Sequence, residues 1–245
     1  MTGGKRWLQL AGILVLGVAL LLGGAGCDGD YEVPTIQSGV STPVELGTVA
    51  VETAEPELTV VPASTASAVS TPSPEAIAEI QALIDEGKYQ AAIDKTIEVY
   101  GLDVSNAPSV EYDSTVPAGY YATTDPADGS IHIDSLDRFS SPNELASCIG
   151  HEVIHANQIA EGRSYYGVDE NGDPYIIDDQ GAYLMDYEAW KWEQDHAAQN
   201  NLSADEKAEV DGNVEYYYNQ LTPENQALAD TGVYVLPDVT PYSPE

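Results

Sequence analysis

Hydrophobic periodicity divides the chain into unlike stretches. An apolar run from Trp7 to Leu22, with Gln9 its one polar residue, is followed, from Asp28 to about Pro74, by Thr, Ser, Val, Pro, Ala and Glu in no regular order, with Tyr31 the one aromatic residue. Such a stretch has too little apolar side chain to build a core, so residues 27–73 read as a disordered or extended tether. From Pro74 the pattern turns helical. Ser73-Pro74-Glu75 opens a helix carrying Ile77, Ile80, Leu83 and Ile84, Glu86-Gly87 breaks it, and Tyr89 to Tyr100 places Ala92, Ile93, Ile97 and Tyr100 on one side. These two helices predict an αα-hairpin over 74–101.

The pattern then shortens. Val110-Glu111-Tyr112, Gly119 to Thr123 and Ser130 to Asp134 read as short strands between Pro- and Gly-containing turns. Ser141-Pro142-Asn143-Glu144 is a helix start, with an N-cap serine, proline at the first helical position and glutamate at the third. Leu145, Ile149, Val153 or Ile154, and Ile159 continue at helical spacing, and Gly162 is the expected terminating residue. Tyr165 to Val168 and Pro174 to Ile177 flank an acidic turn, Asp169 to Asp173, as a hairpin does. Three further helices are expected: from about Gly181 to Gln199, after a cap at Ser203, and after Thr222-Pro223.

Charge narrows the possible partners. The chain has 41 acidic and 8 basic residues. Removing the first 26 residues takes Lys5 and Arg6 with it and leaves a formal charge of −35. Such a surface repels phosphate backbones and anionic lipid, which excludes nucleic acid as a partner.

The N-terminus gives an address. Lys5-Arg6, the apolar run and Gly23-Gly24-Ala25-Gly26-Cys27 have the order of a secretory signal. The Gly-Ala-Gly-Cys ending resembles a bacterial lipobox, with Gly24 where leucine is usual. The resemblance implies cleavage after residue 26, a lipid on Cys27, and a protein held at the extracytoplasmic face of the membrane. Only Cys148 remains, so no internal disulfide is expected. Cys148 is three residues before His151 and reads as a small buried hydrophobe, with a soft metal ligand as the alternative.

The chemistry is concentrated in His151-Glu152-Val153-Ile154-His155. Histidines four apart on a helix share a face and can close on one zinc ion at about 2.0–2.1 Å. Glu152 points roughly 100° away round the helix, where it is better placed to accept a proton from water than to bind metal. This division of labour is that of H-E-x-x-H metallopeptidases. A catalytic zinc usually takes a third protein ligand. Position 161, a histidine in metzincins, is Glu161, about 15 Å along the helix from His151.

The motif and a glutamate on a later helix resemble the gluzincin branch of the zincin metallopeptidases. Glu188, in Tyr187-Glu188-Ala189, is the expected third ligand, with Asp186, Glu193 and His196 as competitors. The chain departs from the thermolysin pattern at Tyr187 and Trp192, so the support of a ligand histidine has to come from elsewhere. The resemblance covers roughly residues 110–200. It implies an α+β zincin-like domain over 74–245: a small mixed sheet, the motif helix, a helical C-terminal part and the preceding αα-hairpin. It also implies a zinc cofactor, Glu152 as general base, a peptide or protein substrate, and an edge strand around Ile131 to Ile133 that holds the peptide extended. Tyr165, Tyr166, Tyr183 and His196 are the candidates for stabilising the oxyanion.

Weaker signals complete the reading. Gly87 to Ile93 resembles the helix junction of a tetratricopeptide repeat, but a single hairpin makes no solenoid. The Asp169 to Asp173 turn lacks the glycine and glutamate of an EF-hand loop, which argues against calcium. His132 alternates away from Ile131 and Ile133, as a solvated strand residue does. A zincin-like fold that binds without turnover, or a purely structural surface lipoprotein, are the competing functions.

Overall fold

A computed structural model describes residues 60–62, 71–117, 119–134, 136–163, 166–168, 174–176 and 178–235. The signal segment, Cys27, Tyr165 and the acidic turn at 169–173 lie outside the described residues. The fold is α+β, with six helices and a small mixed sheet of three strands among these residues. In chain order it runs β1 (Val60–Pro62), α1 (Pro74–Asp85), α2 (Tyr89–Tyr100), β2 (Val110–Tyr112), β3 (Ala122–Thr124) and β4 (Ile131–Ile133). There follow α3 (Pro142–Ala160), β5 (Tyr166–Val168), β6 (Pro174–Ile176), α4 (Asp179–His196), α5 (Ala204–Gln220), α6 (Pro223–Thr231) and β7 (Val233–Val235).

The expected hairpin is α1–α2. Ser73 caps α1, its side chain accepting from the Ala76 N–H. Ile80, Ile84, Ala92, Ile93 and Tyr100 are buried in one core with Leu145, Ile149 and Val153 of α3. Tyr100 also donates its hydroxyl to Asn143 Oδ1 at 2.5 Å, tying the end of α2 to the start of α3.

The sheet has the order β2–β4–β3, with β2 parallel and β3 antiparallel to β4. The strand at Ile131–Ile133 is therefore central, and not the edge expected for it. Its two isoleucines, on one face of the sheet, are fully buried. The edge beside α3 is β3. His132, between the isoleucines, is partly exposed with Nδ1 3.3 Å from Asp113 Oδ2. The β3–β4 turn closes through Gly129, at φ +84°, whose missing Cβ would lie 3.6 Å from the Ala156 Cα. This close approach sets the sheet against the motif helix.

α3 and α4 form the centre of the molecule. Ser141 caps α3 by accepting from the Glu144 N–H at 3.1 Å. The Glu144 carboxylate answers on the Ser140 N–H, one residue before the position a capping box would use. Gly162, at φ +77°, ends the helix as expected. The Arg163 N–H bonds Gln158 O and the Gly162 N–H bonds Ile159 O, the two reversed bonds of a Schellman motif. α4 begins at Asp179, two residues before the expected start, because the Asp178 side chain caps the Gln180 N–H at 3.0 Å. It ends at His196, three residues early. The helices pack so closely that a Cβ on Gly150 would lie 1.9 Å from Cη2 of the Trp192 indole. α5 and α6 cover the other side of α4 through Trp190, Ala197, Leu202 and Val210, and through Leu184, Tyr187, Leu221 and Ala229.

Two small ribbons complete the description. β5 and β6 pair antiparallel as the hairpin pattern predicts. β1 pairs antiparallel with β7, Val60 opposite Val235, so three residues of the stretch read as tether belong to a strand.

Candidate metal centre

The site is built where α3 and α4 cross. On α3, the i, i+4 spacing brings the Nε2 atoms of His151 and His155 to 3.2 Å from each other. Two nitrogens bound tetrahedrally to one ion at about 2.0–2.1 Å would stand about 3.3 Å apart.

Each ring has a hydrogen-bond partner at its far nitrogen. His151 Nδ1 is 2.8 Å from Glu193 Oε1, and Glu193 Oε2 accepts the Ser147 hydroxyl at 2.6 Å. His155 Nδ1 is 2.8 Å from Gln158 Oε1. An ionised Glu193 and the Gln158 amide oxygen both accept at Nδ1, which favours the ring protons there and a lone pair on each Nε2. Two lone pairs at 3.2 Å repel unless a positive charge lies between them. The arrangement is that of metal-binding histidines, whose second nitrogen is held by a carboxylate or amide.

Asp186 of α4 completes the group. Its Oδ1 is 3.6 Å from His155 Nε2, and one donor atom each from His151, His155 and Asp186 all lie within 4.8 Å of one another. The three buried residues could hold a metal ion.

Glu188, the third ligand expected from the sequence, faces elsewhere. Its carboxylate accepts from Arg163 Nη1 at 2.6 Å and Nη2 at 3.2 Å, and from Gln158 Nε2 at 2.7 Å. Helix geometry explains the exchange. Asp186 and Glu193, seven apart, share a stripe of α4, whereas Glu188, two residues from Asp186 and about 200° round the helix, lies off that stripe and meets α3 only at its end, at Gln158 and the Arg163 that follows. That stripe meets α3, with Asp186 at His155 and Glu193 at His151.

The remaining candidates resolve as follows. His196 stacks on Trp192, ring centroids 4.4 Å apart, with Nδ1 2.7 Å from Trp192 O, and is not among the converging donors. Cys148 is buried in the apolar core. Glu161 pairs with Arg163 at 2.9 Å. Tyr183 stands against Tyr217.

Glu152 is held by the sheet. Thr124 of β3 donates its hydroxyl to Glu152 Oε2 at 2.7 Å, and the same hydroxyl lies 3.1 Å from the Glu152 carbonyl oxygen. Glu152 Oε1 is buried with no hydrogen-bond partner among the described residues. A buried carboxylate oxygen without a partner is costly, and is of the kind found where a proton or ligand is to be received.

Burial dominates the electrostatics. It pushes both imidazoles down to about 3, so they are neutral lone-pair donors at any ordinary pH. It pushes Glu152 up to about 8, against the Thr124 hydrogen bond, and Glu193 up to about 7, against the Ser147 hydroxyl. These values describe the protein groups alone. A cation beside them favours the ionised carboxylates.

Sequence reasoning did not single out Thr124, Ser147, Gln158 or Arg163. Gln158 and Arg163 had a local signal, since the expected cap at Gly162 fixes both as partners across the end of α3. Thr124 and Ser147 had none, because their roles depend on which strand and which helix come to face them.

Comparison with protein-family models, with curated proteins and with solved structures returns no match.

Proposed function

We propose that this chain is a zinc-dependent peptide hydrolase, with His151, His155 and Asp186 holding the ion and Glu152 serving as general base. The reading is carried by the two Nε2 atoms 3.2 Å apart, each ring having a partner at Nδ1, with an Asp186 oxygen converging on them. Two imidazoles and one carboxylate are a donor set common in catalytic zinc sites, and this supports the choice of zinc. When bound, the ion would acidify water and polarise the scissile carbonyl.

The protein's own groups do the rest. Glu152 Oε1 takes the proton of the attacking water and returns it to the leaving amine, while Thr124 keeps Oε2 fixed. Its position next in sequence to a ligand histidine keeps that base at a constant place relative to the donors. Among the described residues β3 has a partner strand on one side only, so its other edge can pair with an extended substrate backbone. The −35 charge favours neutral or basic peptides over acidic ones.

The test is a peptide-cleavage assay combined with metal analysis. Glu152→Gln should keep zinc while hydrolysis falls by a factor on the order of 10²–10⁴. An equally active Glu152→Gln protein would sink the mechanism.

One observation favours a second reading. All three donors are buried, with only His155 (6 %) and Asp186 (5 %) reaching any solvent. Closed sites are usual for structural zinc. A structural role would give tight metal, slow release to chelators and no cleavage by the wild-type protein.

The proposal includes location. Attachment through a lipid on Cys27 at the extracytoplasmic face rests on the order of basic, apolar and small residues before that cysteine. Intact mass of membrane-extracted protein should show a chain beginning at a lipidated Cys27, and an unmodified Met1 would remove the idea.

A further inference from the structure

The hydrogen bonds behind His155 run in a chain whose direction is set at its far end. Arg163 is 1 % exposed and carries a permanent charge. Two of its guanidinium nitrogens donate to Glu188, so that carboxylate is an acceptor toward every other neighbour. Gln158 Nε2 faces Glu188 Oε2 at 2.7 Å and the Met185 carbonyl at 3.1 Å. Both are acceptors, so the amide nitrogen has to be there, and a flipped glutamine would set its oxygen against two others. Gln158 Oε1 is thereby turned to His155 Nδ1 at 2.8 Å, where it can only accept.

We infer that Arg163 is a positioning residue for His155: acting through Glu188 and Gln158, it keeps the ring proton on Nδ1 and so keeps the Nε2 lone pair directed at His151. The inference deepens the metal reading and rests on it for its functional meaning. The hydrogen-bond chain itself exists without any ion.

The arrangement differs from the support of His151, where a carboxylate bonds the ring directly. A neutral amide has no preference for a histidine's protonated nitrogen over its bare one, because it can present either end. Gln158 becomes selective only because Glu188 and Met185 O consume its donor end. Glu188 is selective in turn because Arg163 claims it. The Schellman turn at Gly162 supplies the geometry, since it reverses the chain just after α3 and brings Arg163 to the same end as Gln158.

The experiment is the tautomer of His155 in the metal-free protein, read from long-range ¹⁵N–¹H correlation spectra. Wild type should show Nδ1–H only on both His151 and His155. Arg163→Met leaves the Glu188 carboxylate buried and can fail to fold, so the decisive variant is Arg163→Met with Glu188→Leu, which removes both charges together. In that variant only the 3.1 Å bond to the Met185 carbonyl still orients the amide, so His155 should populate the Nε2–H form in part while His151 keeps Nδ1–H. Zinc affinity, measured by chelator competition, should fall about 10–100-fold. A double variant in which His155 keeps Nδ1–H alone overturns the inference, as does a wild-type His155 already divided between tautomers. Gln158→Leu provides a repeat that leaves the Arg163–Glu188 pair in place, with the same expected loss of Nδ1–H preference and the same overturning result. Should the tautomers respond as stated while wild type binds no zinc, the relay stands and the metal reading falls.

Discussion

The two imidazoles of the site are held by opposite means. His151 leans on the neighbouring helix: Glu193 of α4 accepts its Nδ1–H, and the acid is steadied by Ser147 from α3. His155 leans on its own helix, through Gln158, and the charges lie two bonds further back in the Arg163–Glu188 pair. The difference separates two kinds of cost. Burial raises Glu193 to about 7, so near neutrality the acid behind His151 can give up its charge. Arg163 cannot, so the charge behind His155 is permanent.

The comparison makes the largest prediction a matter of stability. Arg163→Met strands the Glu188 carboxylate in the interior and should destabilise the fold by about 3–5 kcal/mol, the usual cost of removing one member of a buried pair. Urea denaturation of the metal-free protein measures it. A change under about 1 kcal/mol would mean that water reaches the pair.

On the other side the loss should fall on the metal. Glu193→Leu removes the acceptor from His151 Nδ1 without leaving an opposite charge behind. Zinc affinity should drop about 10–100-fold, or roughly 1.4–2.7 kcal/mol, with a smaller change in the urea midpoint. If the fold suffered more than the affinity, the contrast drawn between the two histidines would be wrong.

Gly150→Ala tests the packing that holds the two helices in register. The new methyl would meet the Trp192 indole at 1.9 Å, and the ring has to move. A destabilisation of about 1–3 kcal/mol is expected, typical of overpacking. Because Trp192 precedes Glu193, zinc affinity should weaken as well. A thermal midpoint equal to wild type would show that the indole shifts freely.

The smallest effect is a slope. Glu152 and Glu193, raised by burial to about 8 and about 7 from 4.5, contribute stability that is complete below pH 4.5 and lost as pH rises through 7 to 8. The histidines, lowered to about 3 from 6.5, contribute stability that is complete above pH 6.5 and lost as pH falls toward 3. Between pH 6.5 and 8 the two carboxylates outweigh the last of the unfolded-state histidine titration, so the metal-free protein should lose stability on going up. Zinc affinity should rise over the same interval, since binding favours the ionised acids. Denaturation curves at pH 6.5 and 8, with zinc and with a chelator, should therefore slope in opposite directions.

These contrasts also mark how far the sequence was legible. α3 could be read almost to the residue, because its start, face and end are written locally in Ser141-Pro142, in the apolar spacing and in Gly162. The roles proposed for His151 and Glu152 rest on the spacing within one helix alone. The third donor did not, because it depends on how α4 is rotated against α3. Asp186, Glu188 and Glu193 are all acidic and all buried, and nothing within α4 says which stripe meets the histidines. Trp192 against Gly150 decides it, a contact between residues 42 positions apart in the chain. The sheet order was hidden for a similar reason. Ile131–Ile133 precedes the motif helix in sequence, yet it pairs with Val110–Tyr112 on one side and Ala122–Thr124 on the other, which leaves those two strands as the edges.

The central claim, that His151, His155 and Asp186 form one metal site, is tested most directly by zinc stoichiometry and affinity in wild type beside Asp186→Ala and Glu188→Gln. Wild type should bind one zinc per chain. Asp186→Ala should lose most of that affinity, and Glu188→Gln, whose amide still meets Arg163 and Gln158, should lose far less. A wild-type protein that takes up no zinc, or an Asp186→Ala protein that binds as tightly as wild type, would contradict the account.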